Sequence, residues 1–142
     1  MNLKIRTFDE LTNRQLYEIL RLRAEVFIVE QEGCYLDPDG VDCESIHIFS
    51  EEADGSVSGC VRIFPKEDEP GTVQVGRLVC RNRMTGMGRR LMEQAERSAV
   101  EVYDASALYL TGRKSAEGFY LRCGYRIEAD WVTYDEFRKD LR

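Results

Sequence analysis

The sequence predicts a single α/β domain in which helices flank a mixed, mostly antiparallel sheet. Short apolar segments with strand-like alternation lie on both sides of one long segment that has apolar residues at helical spacing. Turn residues separate these segments, and neither a repeat nor a linker interrupts their order. The chain has 142 residues, which is about the length of one domain. We therefore expect one domain that spans residues 1–142.

The N-terminal part of the chain is expected to form a strand and a long helix. Alternation with polar residues over Leu3–Thr7 predicts the first strand. Thr12 and Gln15 match a capping box, and the apolar residues that follow predict a helix from about Asn13 to near Gln31. An acidic, turn-rich loop follows over Glu32–Glu44, and its glycine is wrongly placed for a calcium-binding EF-hand loop.

The central part is expected to form a hairpin, a fourth strand and the main helix. Two strand-like segments, 46–48 and 57–63, flank the turn dipeptide Asp54-Gly55. A charged loop leads from there to the fourth strand, which covers Val73–Val79. The helix after this strand should pack one face on the sheet. That face comprises Met87, Leu91, Ala95, Ala99 and Val102.

Short segments complete the predicted fold. Leu108–Thr111 is a short apolar strand, and Ser115 begins a second short helix that ends at Gly124. Tyr125–Ala129 and a last segment near Trp131–Leu141 are expected to close the sheet.

The loop before the main helix is predicted to bind an anion. Gly86 and Gly88 let backbone N–H groups turn toward a ligand at the first helical turn, where unpaired donors and a partial positive charge favour phosphate or pyrophosphate. The spacing fits neither a Walker loop nor a dinucleotide fingerprint. The alternative is a glycine-bearing loop whose arginines are only solvated. These arginines are Arg81, Arg83, Arg89 and Arg90, in a chain with a net charge of −6.

Composition excludes several classes of protein. With 43% hydrophobic and 32% charged residues, the chain is typical of a globular protein. It has no apolar run long enough for a membrane span and no signal peptide, so we expect a cytoplasmic protein without a membrane partner. The acidic balance argues against nucleic acid as a partner and mildly favours an amine substrate. The five cysteines lack C-x-x-C spacing, which predicts reduced thiols and no metal site.

Arg83, Gly86 and Gly88 form an R-x-x-G-x-G motif that resembles the pyrophosphate-binding motif of the GNAT superfamily of acyl-CoA-dependent N-acetyltransferases. Three further stretches are similar to the ElaA-like branch of this superfamily, and they occur in the expected order. They are Arg23–Gln31, which matches R-x-x-V-F-x-x-E-Q; Asp37–Asp42, which is followed by His47-Ile48; and Ala116–Tyr125, which matches A-x-x-F-Y-x-x-x-G-[FY].

The resemblance implies a sheet splayed between strands 4 and 5, with acetyl-CoA (coenzyme A) as the cofactor in that gap. It also implies that backbone groups of the fourth strand contact the pantetheine arm and polarise the thioester carbonyl, while the loop holds the pyrophosphate. Arg113 stands where relatives carry Asn or Gln, so it either adds a contact or moves the cofactor. The expected cofactor-binding residues are Leu78, Val79, Cys80, Arg83, Met84, Thr85, Gly86, Met87, Gly88, Arg89 and Arg113.

The expected catalytic residues are Tyr120, His47 and Glu30. By the resemblance, Tyr120 protonates the departing CoA thiolate; the alternative is a core aromatic residue next to Phe119. His47 either faces the acceptor or is a half-buried strand residue. Glu30 either orients an amine or a base water, or is a solvated carboxylate on its helix.

These features predict an acetyl-CoA-dependent N-acetyltransferase that acts without a metal, by direct transfer to a primary amine of a small molecule or peptide. One alternative is a catalytically inactive GNAT-fold module that binds or senses acyl-CoA, because Trp131–Phe137 replaces the G-I-P-H segment common in the ElaA-like branch. Another alternative is a phosphate-binding domain unrelated to CoA. The acceptor is not identified by the sequence, and a homodimer is left open because many relatives form dimers.

Overall fold

The computed structural model describes residues 2–83 and 85–142. In this part of the chain the strands and α-helices follow the predicted order. They are β1 (Leu3–Thr7), α1 (Asn13–Arg23), β2 (Ile46–Glu51), β3 (Val57–Pro65), β4 (Thr72–Cys80), α2 (Met87–Tyr103), β5 (Ala107–Arg113), α3 (Glu117–Arg122), β6 (Arg126–Asp130) and β7 (Tyr134–Asp140).

The strands form one seven-stranded sheet in the order β1-β2-β3-β4-β5-β7-β6. The pair β4 and β5 is parallel, whereas β1 with β2, β5 with β7, and β6 with β7 are antiparallel. The predicted mixed, mostly antiparallel sheet with flanking helices is therefore confirmed. Within this sheet the chain divides into two compact units: a first unit of Met1–Arg62 with Arg77–Gln94, and a second unit of Ile63–Gly76 with Ala95–Arg142.

The first unit is built around α1 and an apolar core. Thr12 caps α1 as predicted, because its Oγ1 accepts from the Gln15 backbone N–H and Gln15 Oε1 accepts from the Thr12 backbone N–H, both at 3.0 Å. The buried core comprises Ile19, Leu22, Val26, Phe49, Val57, Cys60 and Val79.

The predicted long helix changes type near its end. Regular α-helix stops at Arg23, and Ala24–Glu30 form π-helical turns. Gln31 N donates to Val26 O, five residues earlier, at 2.9 Å. The predicted extent of the helix is therefore confirmed, with π-helical turns over its last seven residues. Because π-helical turns occur frequently at functional sites, this segment is a candidate part of the site.

In the second unit, β5 is paired unequally on its two sides. Its pairing with β7 runs from Ala107 to Arg113, whereas its pairing with β4 joins Ala107–Tyr109 to Thr72–Gln74. Buried apolar residues of this unit include Val73, Ala95, Ala99, Leu108, Leu110 and Phe137.

One residue predicted on the buried face of α2 is not buried. Val102 is 55% exposed. Residues 100–102 are all exposed, so the last turn of α2 extends past the core. The prediction for Val102 was therefore wrong.

Candidate functional site

The predicted anion-binding loop leads directly into α2. Gly86 has a φ of +82°, and a Cβ added to it would meet nothing within 4 Å. Its carbonyl accepts the backbone N–H of Arg90 at 3.2 Å, so α2 begins at Met87. The Met87 N–H is held by Thr85 Oγ1 at 3.4 Å. A helix start behind a left-handed glycine gives an open approach to the first helical turn, where backbone donors favour an anion.

A second glycine packs against the first turn of α2. A Cβ on Gly59 of β3 would lie 2.4 Å from Met87 Sδ and 3.1 Å from a Leu91 methyl carbon. A side chain at Gly59 would force Met87 to shift, so its absence lets the first turn of α2 pack closely on β3. Gly59 was not among the predicted site residues. Its signal was a glycine inside a strand, which often marks a close approach.

Two arginines before the loop are paired with carboxylates. Arg83 Nη2 donates to Glu30 Oε1 at 2.6 Å, and Arg81 Nη1 donates to Glu25 Oε2. Glu25 and Glu30 both belong to the π-helical segment. The side chains of Arg83 and Glu30 are 61% and 51% exposed. Exposed pairs of this kind contribute about 0–1 kcal/mol, so a diphosphate could exchange with the carboxylate at little cost.

Other predicted cofactor residues lie on β4 and at the start of α2. Val79 is buried, while Leu78 and Cys80 are half-buried. Burial raises the pKa of the Cys80 thiol to about 11, so this thiol is neutral at physiological pH. Gly88 is half-buried, and Arg89 is exposed and paired with Glu93 at 3.2 Å. Met84 lies outside the described residues.

Behind β4, the acidic loop takes part in a network of charged side chains. Three arginines from α1, β3 and β4 meet three aspartates of the loop, so the charges balance. The members are Arg23, Arg62, Arg77, Asp37, Asp39 and Asp42. Arg23 and Arg62 are only 1% and 4% exposed. The carboxylates are occupied by arginines, and no His, Cys, Asp or Glu cluster able to hold a metal ion is found in residues 2–83 and 85–142.

Hydrogen bonds hold the aspartates of this network in the charged form. Two bonds from Arg62, at 2.8 and 2.7 Å, are the main reason that the pKa of Asp39 is lowered. Burial alone would raise the pKa of Asp42, but bonds from Arg23 and Arg62 outweigh it, and the net shift is downward. No role was predicted for Arg62 or Arg77. Each lies in a strand of mostly apolar residues. A charged side chain at such a position indicates a buried partner of opposite charge, and this was the signal in the sequence.

His47 lies against this network and is 1% exposed. Its Nε2 lies 2.9 Å from the carbonyl oxygen of Asp42, and since a carbonyl only accepts, Nε2 carries the proton. Burial lowers the pKa of His47, so the ring is neutral near pH 7. The alternative prediction was that His47 is a half-buried strand residue. It lies on β2 but is almost completely buried. A catalytic role for His47 stays a prediction.

Tyr120 lies in the second unit, on the short helix α3. Its ring covers Gly112 of β5, where an added Cβ would lie 2.6 Å from Tyr120 Cε2. The ring centroids of Phe119, Phe137 and Tyr125 lie 5.2, 5.1 and 6.2 Å from that of Tyr120. These contacts give the ring one well-defined orientation.

The predicted site residues thus fall into three groups. Glu30 and the loop arginine Arg83 are in contact, and His47 belongs to the charged network. In the second unit, Arg113 is exposed at the end of β5, and Tyr120 is half-buried against Gly112.

Residues 11–125 match the model of a family described as "Acetyltransferase (GNAT) family". The fold and the helix-start loop agree with this match, and the chain belongs to the GNAT family of acetyltransferases, whose members generally use acetyl-CoA.

Within this family the chain is similar to the ElaA and UPF0039 proteins, which confirms the predicted branch. It is 31% identical to protein ElaA of Escherichia coli over 121 residues, which cover 82% of this chain and 78% of ElaA. A UPF0039 protein of Schizosaccharomyces pombe is 33% identical over 131 residues, covering 90% of this chain and 86% of the relative.

Solved structures agree with this assignment. An acyl-CoA N-acyltransferase from Pseudomonas aeruginosa superposes with a TM-score of 0.88 at 28% identity, covering 97% of this chain and 98% of the other. The crystal structure of E. coli ElaA gives a TM-score of 0.88 at 24% identity, covering 98% and 99%, and supports the fold. Across the residues that the structure describes, none of the helices is both long and apolar enough to cross a membrane.

Proposed function

We propose that this chain is an acetyl-CoA-dependent N-acetyltransferase that transfers an acetyl group directly to a primary amine of a small molecule or peptide. The observation that carries the proposal is the open start of α2 behind Gly86, with the exposed guanidinium of Arg83 beside it. Backbone donors at a helix start and an exchangeable arginine are groups that bind a diphosphate, and the left-handed glycine leaves the approach to them open. The loop therefore fits the diphosphate of coenzyme A.

When bound, acetyl-CoA supplies an acetyl group activated as a thioester. The residues proposed to hold it are Arg83 to Arg89 at the diphosphate and Leu78 to Cys80 along the pantetheine arm, with Arg113 as a further contact. Backbone N–H groups of Leu78 to Cys80 would donate to the thioester carbonyl, where fixed donors are worth most. Tyr120 would give its hydroxyl proton to the leaving sulfur.

An amine acceptor must lose a proton before it attacks, and Glu30 and His47 are the two candidate bases. A base must reach solvent or a water chain to pass the proton on. Glu30 is half exposed, whereas His47 is buried with Nε2 committed to Asp42. Accessibility therefore favours Glu30, once Arg83 has moved to the diphosphate.

The proposed location of the reaction is the cytoplasm. None of the five cysteines, all of which lie among the described residues, forms a disulfide. A chain with five cysteines outside disulfides, two of them exposed, is suited to a reducing compartment.

The proposal is tested by titrating the protein with acetyl-CoA in a calorimeter and by following amine-dependent CoA release over a panel of amines. Gly86→Val should weaken acetyl-CoA binding by about tenfold or more, because a β-branched residue is strongly disfavoured at a φ of +82°. Gly55→Val is the matched control. Gly55 has a φ of +89° in the β2–β3 hairpin, so it carries the same backbone strain away from the loop.

Each outcome assigns a function. Binding with turnover on any amine supports the proposal, whereas tight CoA binding without turnover indicates a binding module. Stronger binding of ADP or free phosphate than of CoA would indicate a phosphate-binding domain. Equal losses of affinity in the two glycine variants would contradict the role of the loop.

A further inference from the structure

Strand β4 contains one extra residue relative to β3. Lys66 N donates to Thr72 O at 2.9 Å, and Arg81 N donates to Ser58 O at 2.7 Å. Between these two bonds the chain spans eight residues on the β3 side, from Ser58 to Lys66. It spans nine residues on the β4 side, from Thr72 to Arg81. One residue of β4 is therefore unpaired, which defines a β-bulge.

The extra residue is identified by its backbone. Arg77 has a φ of +54°, and the rest of β4 has no positive φ among the described residues. Left-handed geometry inside a strand is uncommon for a residue with a Cβ, and glycine is the residue that normally adopts it. An arginine at this bulge therefore needs compensating contacts.

The side chain of Arg77 supplies these contacts through Asp37. Arg77 Nε donates to Asp37 Oδ1 at 2.9 Å, and Nη2 donates to the Asp37 carbonyl at 3.0 Å. Asp37 is 4% exposed, and its other carboxylate oxygen accepts Arg23 Nε at 2.8 Å. The bulge is thus clamped to a buried carboxylate that is itself fixed to the end of α1.

The clamp lies immediately before the residues that matter for the proposed function. Leu78, Val79 and Cys80 follow Arg77 without an intervening residue. A bulge re-aims the residues next to it, so the conformation of Arg77 sets the direction of their backbone groups.

We propose that Arg77 and Asp37 are positioning residues, whose clamp holds β4 in a left-handed bulge and thereby aims the backbone of Leu78–Cys80 at the acyl-pantetheine part of the cofactor. This inference rests on the proposed function for the identity of the ligand. Neither residue touches the reacting atoms. The competing explanation is that the clamp only stabilises the fold.

Two substitutions at one position separate these explanations. Arg77→Ala and Arg77→Gly both remove the same ionic contacts, but only glycine adopts the left-handed conformation without strain. If the bulge positions the cofactor contacts, Arg77→Ala should weaken acetyl-CoA binding by about tenfold, and Arg77→Gly should keep it within about threefold of wild type. Equal losses in the two variants would overturn the inference.

ADP is the internal control for these titrations. It carries the diphosphate but not the pantetheine arm, so its affinity should be unchanged in both variants. If neither variant folds, Arg77→Lys keeps the positive charge and loses the second contact to Asp37. That variant should then lose affinity for acetyl-CoA but not for ADP, and equal losses for both ligands would overturn the inference.

Failure of the proposed function can be told apart from failure of this inference. Wild-type protein that binds no acetyl-CoA would refute the proposed function. Amide hydrogen exchange on the ligand-free protein still tests the clamp, because protection of the Leu78–Cys80 amides should fall in Arg77→Ala and persist in Arg77→Gly. Unchanged protection in Arg77→Ala would refute the clamp even if acetyl-CoA binds.

Discussion

At the scale of single residues, a substitution at Tyr120 tests whether its hydroxyl acts as the general acid in acetyl transfer. Its ring is held by Gly112 and Phe137, so removing the hydroxyl leaves the packing in place. Tyr120→Phe should lower kcat by about 10²- to 10⁴-fold, which is the usual contribution of a general acid, while the KM for acetyl-CoA stays near the wild-type value. Steady-state kinetics at several pH values would measure both constants.

Tyr125 provides the matched control for this substitution. It packs against Tyr120, and its buried hydroxyl has no hydrogen-bond partner among the described residues. Tyr125→Phe removes the same atom from a neighbouring ring and should leave kcat unchanged. A rate for Tyr120→Phe equal to that of Tyr125→Phe would remove Tyr120 from the mechanism.

The sequence indicated some residue roles better than others, and the reason is physical. Gly86 was recognisable because glycine is the residue that most readily adopts the left-handed backbone before α2. The residue type alone therefore indicates the conformation. The clamp on Arg77 was not recognisable, because Arg77 and Asp37 are 40 residues apart and only the folded chain brings them together. His47 was ambiguous for the same reason, since its burial depends on the acidic loop that covers it.

At the scale of elements, the π-helical segment and the loop before α2 are joined by exchangeable ion pairs. If Arg83 leaves Glu30 for a bound diphosphate, as proposed, Glu30→Gln should raise acetyl-CoA affinity by a factor of about two to five at low salt. The gain should disappear in high salt, which screens exposed charges. Calorimetric titration at two ionic strengths would measure it.

Glu25→Gln is the control on the same segment. Glu25 pairs with Arg81, which was not predicted to contact the cofactor, so this variant should bind acetyl-CoA as wild type does. An equal gain in both variants would show that only the overall charge matters. Loss of turnover in Glu30→Gln with improved binding would further support Glu30 as the base.

Element boundaries were predicted well where local chemistry marks them. The Thr12 capping box and the Asp54-Gly55 turn set the start of α1 and the β2–β3 hairpin. The π-helical segment was not predicted, because over two turns its apolar spacing does not differ from that of an α-helix. Val102 was misassigned because periodicity identifies a face of a helix but not where the core beneath it ends.

At the scale of the whole molecule, the fold was predictable because four motifs occur in one order along the chain. They cover the end of α1, the acidic loop, the loop before α2, and α3. The site was less predictable, because the charged network unites residues from the acidic loop and the elements around it. His47, the only histidine of the chain, is buried against this network, so the stability of the folded protein depends on pH.

His47 makes the stability of the protein depend on pH in a defined window. Burial is the main reason that its folded-state pKa lies below the ordinary value of 6.5. The hydrogen bond to Asp42 and the charge of Asp42 oppose this shift, and the charges of Arg23 and Arg62 add to it. About one pH unit or more above 6.5, the ring is neutral in both the folded and the unfolded state, so stability does not depend on it there. As the pH falls below 6.5, the unfolded chain takes up a proton that the folded chain refuses, so stability falls by at most about 1.4 kcal/mol per pH unit.

His47→Gln should remove this dependence, because a glutamine side chain does not titrate and its amide can still donate to Asp42 O. Urea unfolding at pH 7.5, 6.5 and 5.5 should show wild type losing stability at pH 5.5 relative to the variant. The carboxylates of Asp39 and Asp42, whose pKa values are lowered from 3.8, contribute equally in both proteins and act at lower pH. Parallel curves for the two proteins would mean that His47 is charged in the folded state, which its burial beside two arginines makes unfavourable.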